Sequence, residues 1–417
     1  MEYLDSILPS EHAALQLTKF GGIMIYIYLG DRSALFMKAH KVFNSTHFWG
    51  MMFLAGVAGF LSLRTGADSI FLNRDQTDEW KGWMQIVILI YHYVGASKVS
   101  MIYNLVRVMV SSYLFMTGFG HFTYFYKKAD FGIVRLSKVL LRLNILPVAL
   151  AFIMDAPYLS YYFSPLVSFW FLVIYTSMGI MSSHNQRSVV LLCKMILALV
   201  VTSVIIHGPL LLETVFAWLE RFFGIVWDAR EWRFRLALDE YIVYVGMAIA
   251  YYVIHFVASP QSTSPFEGFK WVLVSIIGMI SFLWWAHTCP EKYFYNLLHP
   301  YVSLFPVSLF VILRNSTETL RRKTSGFFCW IGRFSLETFL VQFHVWLAMD
   351  TRGILVIFPN YFWINVIFTT ILFLYVCEIL SDVTNQLVEW MVVSDSRRMI
   401  KRALGGIVGL ILWNNAF

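Results

Sequence analysis

The chain has 417 residues, of which 59% are hydrophobic, 18% aromatic and only 14% charged. This composition excludes an ordinary soluble globular domain. The net charge of +7 therefore indicates membrane topology rather than a nucleic-acid partner, because lysine and arginine gather in loops between apolar segments. The four cysteines have no CxxC or other ligand spacing, so they predict neither a disulfide framework nor a metal site.

Apolar segments recur almost end to end, and about 20 mostly apolar residues suffice to span a bilayer. The N-terminal stretch lacks the basic region and cleavage site of a secretory signal, so we expect it to be retained. The fold class predicted is an all-α polytopic transmembrane bundle of 12 or 13 spans. The segments are 15–30, 47–64, 81–97, 105–125, 138–154, 161–181, 189–211, 238–258, 269–287, 299–313, 327–349, 361–391 and 403–417.

Basic clusters predict the orientation of the chain. They are YKKADFGIVRLSK, RNSTETLRRK and SDSRRMIKR, which follow the fourth, tenth and twelfth segments. All three fall on one side, which should be cytosolic, and the N-terminus should be cytosolic as well. The longest non-spanning stretch, 213–240, mixes aromatic residues with arginines. It favours an interfacial helix, with a carbohydrate platform as the alternative.

The third segment carries a polar stripe. At 100° per residue, Lys81, Gln85 and His92 lie within about 40° of one another, and Asp78 lies on the same side. Eleven residues place His92 roughly 16 Å beyond Lys81, past the membrane midplane. Such a stripe favours a functional polar cavity over an interhelical hydrogen bond that only holds helices together.

The fourth segment repeats this pattern, because Arg107, Ser111, Gly118 and His121 share one face. An arginine lies at its lumenal end and a histidine near its cytosolic end. Gly118 and Gly120 permit the close approach either of another helix or of a slender ligand.

The eleventh segment has two polar edges. Ser335, Thr338 and Gln342 form one, and Glu337 and His344 form the other. His344 is expected at the depth of His92, and two imidazoles at one level can accept or relay a proton or an acyl group. His299, before Pro300, is interpreted as a helix-start residue rather than a catalyst.

A basic stripe on the cytosolic side suits the phosphates of an anionic cofactor. Positive-inside topology alone can also produce such a stripe. Its members are Lys127, Lys128, Arg135, Lys138 and Arg142.

A resemblance to a known family is carried by the stretches DEWKGWMQIVILIYHYVGASK, YLFMTGFGHFTYFYKKADFGIVRLSKVLLRLN, YYFSPLVSFWFLVIY, FSLETFLVQFHVWLAMDTRGIL and HPYVSLFPVSLFVILRN. They resemble the ten-span membrane acyltransferase family of capsule and sialic-acid O-acetylation proteins, over about residues 31–392. The likeness to the plant reduced-wall-acetylation proteins is closest.

The resemblance implies a Golgi membrane O-acetyltransferase that uses cytosolic acetyl-CoA to acetylate cell-wall or other secreted polysaccharides. In similar bacterial acyltransferases a basic residue precedes a histidine at fixed spacing, and Lys81 and His92 occupy those places. A late helix of those proteins extends the likeness to Ser335 and His344. The candidate catalytic residues are thus His92, His344 and Glu337, and the acyl path comprises Lys81, Gln85, Arg107, His121 and Ser335.

The domain prediction that follows is a ten-span core at 76–393. Residues 1–75 form an N-terminal segment with two extra spans, and residues 394–417 a basic segment with a short last span. Animal and fungal members carry a lumenal hydrolase-like domain with a GDS serine and a DxxH pair. GDRS at 30–33 resembles the first only superficially, and no DxxH follows. The acceptor is therefore either a polysaccharide or a separate lumenal acetyltransferase, and the alternative function is transport of an acetyl donor.

Overall fold

The computed structural model describes residues 10–66, 68–223, 226–257, 265–348 and 352–416. Helices dominate this part of the chain. They are α1 Glu11–Arg32, α2 Ser45–Leu61, α3 Arg74–Tyr93, α4 Ser100–Lys128, α5 Ile133–Ile153, α6 Phe163–Gly179, α7 Ser188–His207, α8 Leu211–Phe223, α9 Ala229–Leu238, α10 Glu240–Phe256, α11 Pro265–Thr288, α12 Lys292–Val302, α13 Leu304–Asn315, α14 Glu318–Arg322, α15 Gly326–Arg333, α16 Ser335–Val345, α17 Phe362–Met391 and α18 Ser396–Ala416.

Each of the thirteen apolar segments coincides with one of these helices or with a consecutive pair, and the all-α polytopic fold class is confirmed. By length and composition alone, five helices within the described ranges can cross a membrane, and the bent pair α12–α13 makes a sixth. Helices such as α3 fail that criterion because polar residues crowd their first turns. The core buries several of those polar side chains, including Gln76 and Asp78.

Two segments predicted as single spans are broken in the structure. Helices α12 and α13 meet at Ser303 with a bend of 53°. Helices α15 and α16 are separated by Phe334, whose φ of −120° and ψ of 31° interrupt the helix. The second break makes Ser335 the first residue of α16.

Short strands tie the N-terminal helices to the rest of the bundle. Strand β1, Met37–His40, pairs antiparallel with β5, Gly353–Val356, which also pairs with β4, Leu347–Ala348. Strand β2, Leu63–Thr65, pairs with β3, Lys323–Ser325. Because β3 precedes α15 and β4 follows α16, the two sheets lie at opposite ends of that broken helix. Helix α1 packs directly against α16 and α17.

Backbone contact between α3 and α15 fixes the helix that carries the polar stripe. A Cβ atom at Gly82 would lie 1.8 Å from the carbonyl oxygen of Phe328, and one at Gly332 would lie 1.8 Å from that of Asp78. Neither position can hold a larger residue without separating the helices. This contact therefore fixes the rotation of α3 and with it the direction of the polar stripe.

The stretch 213–240, predicted as a single interfacial helix, contains parts of two helices, α8 and α9, and its residues 224–225 lie outside the described ranges. The Nη2 atom of Arg233 on α9 lies 2.9 Å from both carboxylate oxygens of Glu213 on α8. This ion pair holds the two helices against each other.

Candidate functional site

A cavity of about 490 Å³ lies between α3, α4, α6 and α16. Most of its wall is apolar, which is typical of a small-molecule site that uses a few polar groups for orientation. Four of the five residues predicted for the acyl path line it together: Lys81, Gln85, His121 and Ser335. The stripe on α3 and the C-terminal half of α4 therefore face a shared internal space.

The polar groups on the α3 side of the cavity are partly satisfied by the protein. The Nζ atom of Lys81 lies 2.6 Å from Oδ1 of Asp78, as the stripe predicted. The hydroxyl of Tyr113 lies 2.7 Å from the carbonyl oxygen of Lys81 and 3.2 Å from Oε1 of Gln85. The Nε2 group of Gln85 and the hydroxyl of Ser164 are buried without a hydrogen-bond partner in the described part of the chain. These two groups remain available to a ligand in the cavity.

The two glycines of α4 serve different purposes. A Cβ atom at Gly118 would lie 2.2 Å from the carbonyl oxygen of Val243, so this glycine allows α4 to pack tightly on α10. Gly120 lines the cavity, and no atom lies within 4 Å of the position that its Cβ would take. The close packing of another helix therefore occurs at Gly118, whereas the approach of a ligand at Gly120 stays a prediction.

His92 lies just beyond the inner end of the cavity. Ile88, one helical turn earlier, lines the cavity, whereas His92 does not. A row of aromatic rings joins the two places, with centroid distances of 5.7 Å from Phe339 to Phe343 and 6.1 Å from Phe343 to His92. In the described residues the His92 imidazole makes ring contacts but no hydrogen bond. Its ring nitrogens are therefore not occupied by protein groups.

Lys41, in the segment between β1 and α2, lies at the same end of α3. Its Nζ donates a hydrogen bond of 3.0 Å to the backbone carbonyl oxygen of His92. Burial lowers the pKa of Lys41 to about 8. The N-terminal segment thus places a cation beside the predicted catalytic histidine.

His344 is held on both sides by side chains. Its Nδ1 lies 2.8 Å from Oδ2 of Asp31 at the end of α1, and its Nε2 lies 2.6 Å from the hydroxyl of Tyr161. All three residues are buried. His344 does not contact His92 directly, because Phe343 lies between Tyr161 and His92, with ring centroids 6.2 and 6.1 Å away.

Glu337, which shares a helical edge with His344, pairs with a residue of α5. Its Oε1 lies 2.7 Å from Nη1 of Arg142, and the same oxygen accepts a hydrogen bond from Thr384. The guanidinium of Arg142 also donates to Asn385 and Ser381. Arg142 therefore binds groups on neighbouring helices of the bundle, which distinguishes it from the other cations of the basic stripe.

Arg107 does not line the cavity. Arg107 and His121 are fourteen residues apart, roughly 21 Å along α4. They therefore lie in different halves of the helix and contact different neighbours. The Nη2 atom of Arg107 lies 3.1 Å from Oδ2 of Asp239, and Ser111 also donates to that carboxylate. His299 joins this cluster, because its Nε2 lies 2.8 Å from the Ser111 hydroxyl.

The interpretation of His299 as a helix-start residue is wrong. It lies in the last turn of α12 and is fully buried. Its Nδ1 lies 3.1 Å from the hydroxyl of Tyr295, so both ring nitrogens have partners. Pro300 is accommodated inside this short helix, which is where the local sequence rule failed.

The remaining cations of the basic stripe lie at the outer end of the cavity. Lys127, Lys128 and Lys138 are exposed. The guanidinium of Arg135 lies 4.0 Å from the ring centroid of Tyr124, next to Thr123 in the cavity wall. Arg74, at the start of α3, lines the cavity and was not predicted. Its place in a charged first turn gave no signal that distinguished it from an ordinary exposed arginine.

Other residues missed by the sequence analysis are Asp31, Lys41, Tyr113 and Tyr161. Among these residues only Asp31 had a signal in the sequence, because it is an acidic residue at the end of an apolar segment. It lies in GDRS, which was compared with the GDS motif of the hydrolase-like domain instead. No group of three or more His, Cys, Asp or Glu residues suited to a metal ion occurs in the ranges described.

Comparison with known proteins adds two findings. Residues 6–404 match the family model of the 10 TM Acyl Transferase domain found in Cas1p. The chain is also 38% identical, over 416 residues, to a Danio rerio protein named N-acetylneuraminate (7)9-O-acetyltransferase. That alignment covers 95% of this chain and 53% of the relative, so the chain spans about half the length of the curated relative it matches. No solved structure matches the chain.

Proposed function

Because the chain belongs to the family of ten-span membrane acyltransferase domains found in Cas1p, we propose that it transfers acetyl groups from acetyl-CoA to the hydroxyl of a sugar. Family membership confirms the predicted family and the class of enzyme, a membrane acyltransferase. The closer likeness to the plant proteins stays a prediction.

The cavity between α3, α4, α6 and α16 is the observation that carries this proposal. Arg74 lines the cavity, and Arg135 packs on Tyr124, next to Thr123 in the cavity wall. These two cations, together with the exposed Lys138 on the same helix as Arg135, suit the phosphates of coenzyme A. The narrow apolar body of the cavity suits the pantetheine chain, and the free Nε2 of Gln85 suits the carbonyl oxygen of a thioester. Each part of an acyl-CoA therefore finds a chemically matched part of the cavity.

His92 is the proposed catalytic base or nucleophile. In direct transfer its neutral imidazole takes the proton of the acceptor hydroxyl, the acceptor oxygen forms an ester bond with the acetyl carbon, and the carbon–sulfur bond breaks. The leaving sulfur then takes the proton, which gives free coenzyme A. In the covalent alternative the imidazole nitrogen attacks the thioester, the carbon–sulfur bond breaks and the thiolate leaves as coenzyme A. The acceptor oxygen then attacks the acetyl-imidazole, the carbon–nitrogen bond breaks, and the acceptor proton passes to the released imidazole. His344 and Glu337 remain candidates for supporting roles.

An aromatic barrier separates the donor cavity from His92. The acetyl group must pass Phe339 and Phe343 to reach the imidazole. The barrier also keeps water away from the thioester until both substrates are bound.

The setting proposed is the Golgi membrane, with the donor on the cytosolic side and the N-terminus in the cytosol. The acceptor is a cell-wall or other secreted polysaccharide, or a separate lumenal acetyltransferase that passes the group on. The name of the Danio rerio relative supports a sugar hydroxyl as the final acceptor.

Purified protein in lipid vesicles with radiolabelled acetyl-CoA tests the proposal. We expect label on the protein or on an added glycan acceptor. If wild-type protein retains label and His92→Gln does not, the covalent route is identified. Uptake of intact acetyl-CoA into the vesicles without transfer would instead support the alternative function of donor transport.

A further inference from the structure

The GDR sequence at the end of α1, residues 30–32, lies against His344 and against the end of α5. A Cβ atom at Gly30 would lie 3.7 Å from the backbone carbonyl oxygen of His344. Asp31 binds the imidazole, and the Nη2 atom of Arg32 donates to the carbonyl oxygen of Met154 at the end of α5, at 2.6 Å. Three consecutive residues thus attach one helix end to the α16 histidine and to α5.

The hydrogen bonds around His344 define its ring state. A carboxylate can only accept, so Asp31 requires the hydrogen of His344 to lie on Nδ1. The lone pair on Nε2 then accepts the hydrogen bond from the Tyr161 hydroxyl at 2.6 Å. Carboxylate, imidazole and hydroxyl follow one another here in the same order as in the Ser-His-Asp triad of hydrolases, in which the carboxylate orients the imidazole.

We propose that Asp31 is a positioning residue for the acyl transfer reaction, which fixes the tautomer and the orientation of His344 and so keeps its Nε2 directed at the Tyr161 hydroxyl. The inference rests on the proposed function. It assigns a direct role to the N-terminal helix α1, which sequence analysis had placed outside the ten-span core.

Burial supports a role beyond ordinary helix attachment. The exposed fraction is 3% for Asp31, 2% for His344 and 0% for Tyr161, so the carboxylate and imidazole are placed in a region where polar groups are costly. Attachment of α1 is also provided by the β1–β5 pairing and by Arg32. A buried carboxylate on the imidazole is therefore not needed merely to hold the helix.

The decisive comparison is between Asp31→Asn, Asp31→Glu and the neighbouring variant Arg32→Gln, all in the full chain. Asp31→Asn is expected to lower kcat on the order of 10²-fold or more, with the KM for acetyl-CoA nearly unchanged, because a wrong tautomer affects the reaction and not donor binding. Asp31→Glu should restore part of the rate. Arg32→Gln, which removes a contact of the same helix end but leaves the carboxylate, should stay within a few-fold of wild type.

A spectroscopic measurement separates positioning from stability. In protein labelled with ¹⁵N-histidine, the His344 signals, identified by their loss in His344→Gln, should show a hydrogen on Nδ1 in the wild type and a changed pattern in Asp31→Asn. An unchanged tautomer with unchanged kcat in a folded Asp31→Asn protein would overturn the inference. Equal losses in Asp31→Asn, Asp31→Glu and Arg32→Gln would also overturn it, because attachment of α1 alone would then explain them.

The two proposals fail in different ways. If wild-type protein transferred no acetyl group to any acceptor, the proposed function would be wrong, and the tautomer measurement would still report whether Asp31 orients His344. If wild-type protein were active and Asp31→Asn equally active, only the role of Asp31 would be wrong.

Discussion

The Nη1 atom of Arg142 lies 2.7 Å from Oε1 of Glu337. Sequence analysis had assigned the first residue to donor binding and the second to catalysis, yet the two neutralise each other inside the bundle. Glu337 is fully buried, so the pair is stable only while both charges are present.

We expect Arg142→Gln to reduce the free energy of unfolding by about 3 kcal/mol or more, because it leaves the buried Glu337 carboxylate without its counter-charge. Glu337→Gln should cost less, because Arg142 is partly exposed and keeps its hydrogen bonds to Asn385 and Ser381. The double variant Arg142→Met with Glu337→Leu should be more stable than either single variant. Thermal unfolding in detergent, followed by tryptophan fluorescence, measures both effects. If Glu337→Gln kept wild-type stability but lost acetyl transfer, a catalytic role for Glu337 would be supported instead.

Donor recognition is tested at Arg135 and Lys138, the two cations of the basic stripe on α5 that do not pair with Glu337. Replacing Arg135 and Lys138 together with glutamine should raise the KM for acetyl-CoA about 10-fold, since each surface ion contact contributes up to about 1 kcal/mol. The increase should shrink at high salt. Lys98→Gln, an exposed cation at the other end of α3, is the matched control, and an equal effect there would return the basic stripe to a purely topological role.

His92 is the residue on which the mechanism depends. We expect His92→Ala and His92→Gln each to lower acetyl transfer by 10²-fold or more, about the usual contribution of a general base, while the protein still folds. His344→Ala should be intermediate or severe. His184→Gln, in the segment between α6 and α7, controls for the loss of any histidine. Full activity in His92→Gln would mean that the ring only packs.

The partners of His299 in the structure change the effect that we expect from its replacement. Sequence analysis predicts a mild effect of His299→Ala, whereas the structure predicts a loss of about 1–3 kcal/mol of stability, because Ser111 and Tyr295 would lose a buried partner. His299→Gln keeps hydrogen-bonding atoms and should be less harmful. Apparent melting temperatures of the two variants decide between these expectations.

The orientation of the chain can be read from its two NST sequons. Asn44 is exposed and caps α2, whereas Asn315 is buried and its Nδ2 donates to the carbonyl oxygen of Val311. We expect a glycan, if present, on Asn44 only, and mass spectrometry after glycosidase treatment detects it. A glycan on Asn315 would contradict both the predicted topology and this fold. An unmodified Asn44 would not, since it lies close to the membrane.

The positions of the apolar segments were predictable because hydrophobic runs of spanning length are a local signal. The shared face of Lys81 and Gln85 was predictable for the same reason, since helical periodicity places them. Which neighbour each polar group meets was not predictable. The distance from Arg142 to Glu337, or from Asp31 to His344, depends on how separate helices pack, and a single sequence contains no periodicity that reports it.

The contact between Asp31 and His344 joins residues that are 313 positions apart, and this has a consequence for biosynthesis. Asp31 and Tyr161 are translated long before His344, so the contact of the three side chains can form only after α16 has been made. The histidine site is therefore assembled late, and a chain halted before α16 would have neither the β1–β5 pairing nor the imidazole that Asp31 binds.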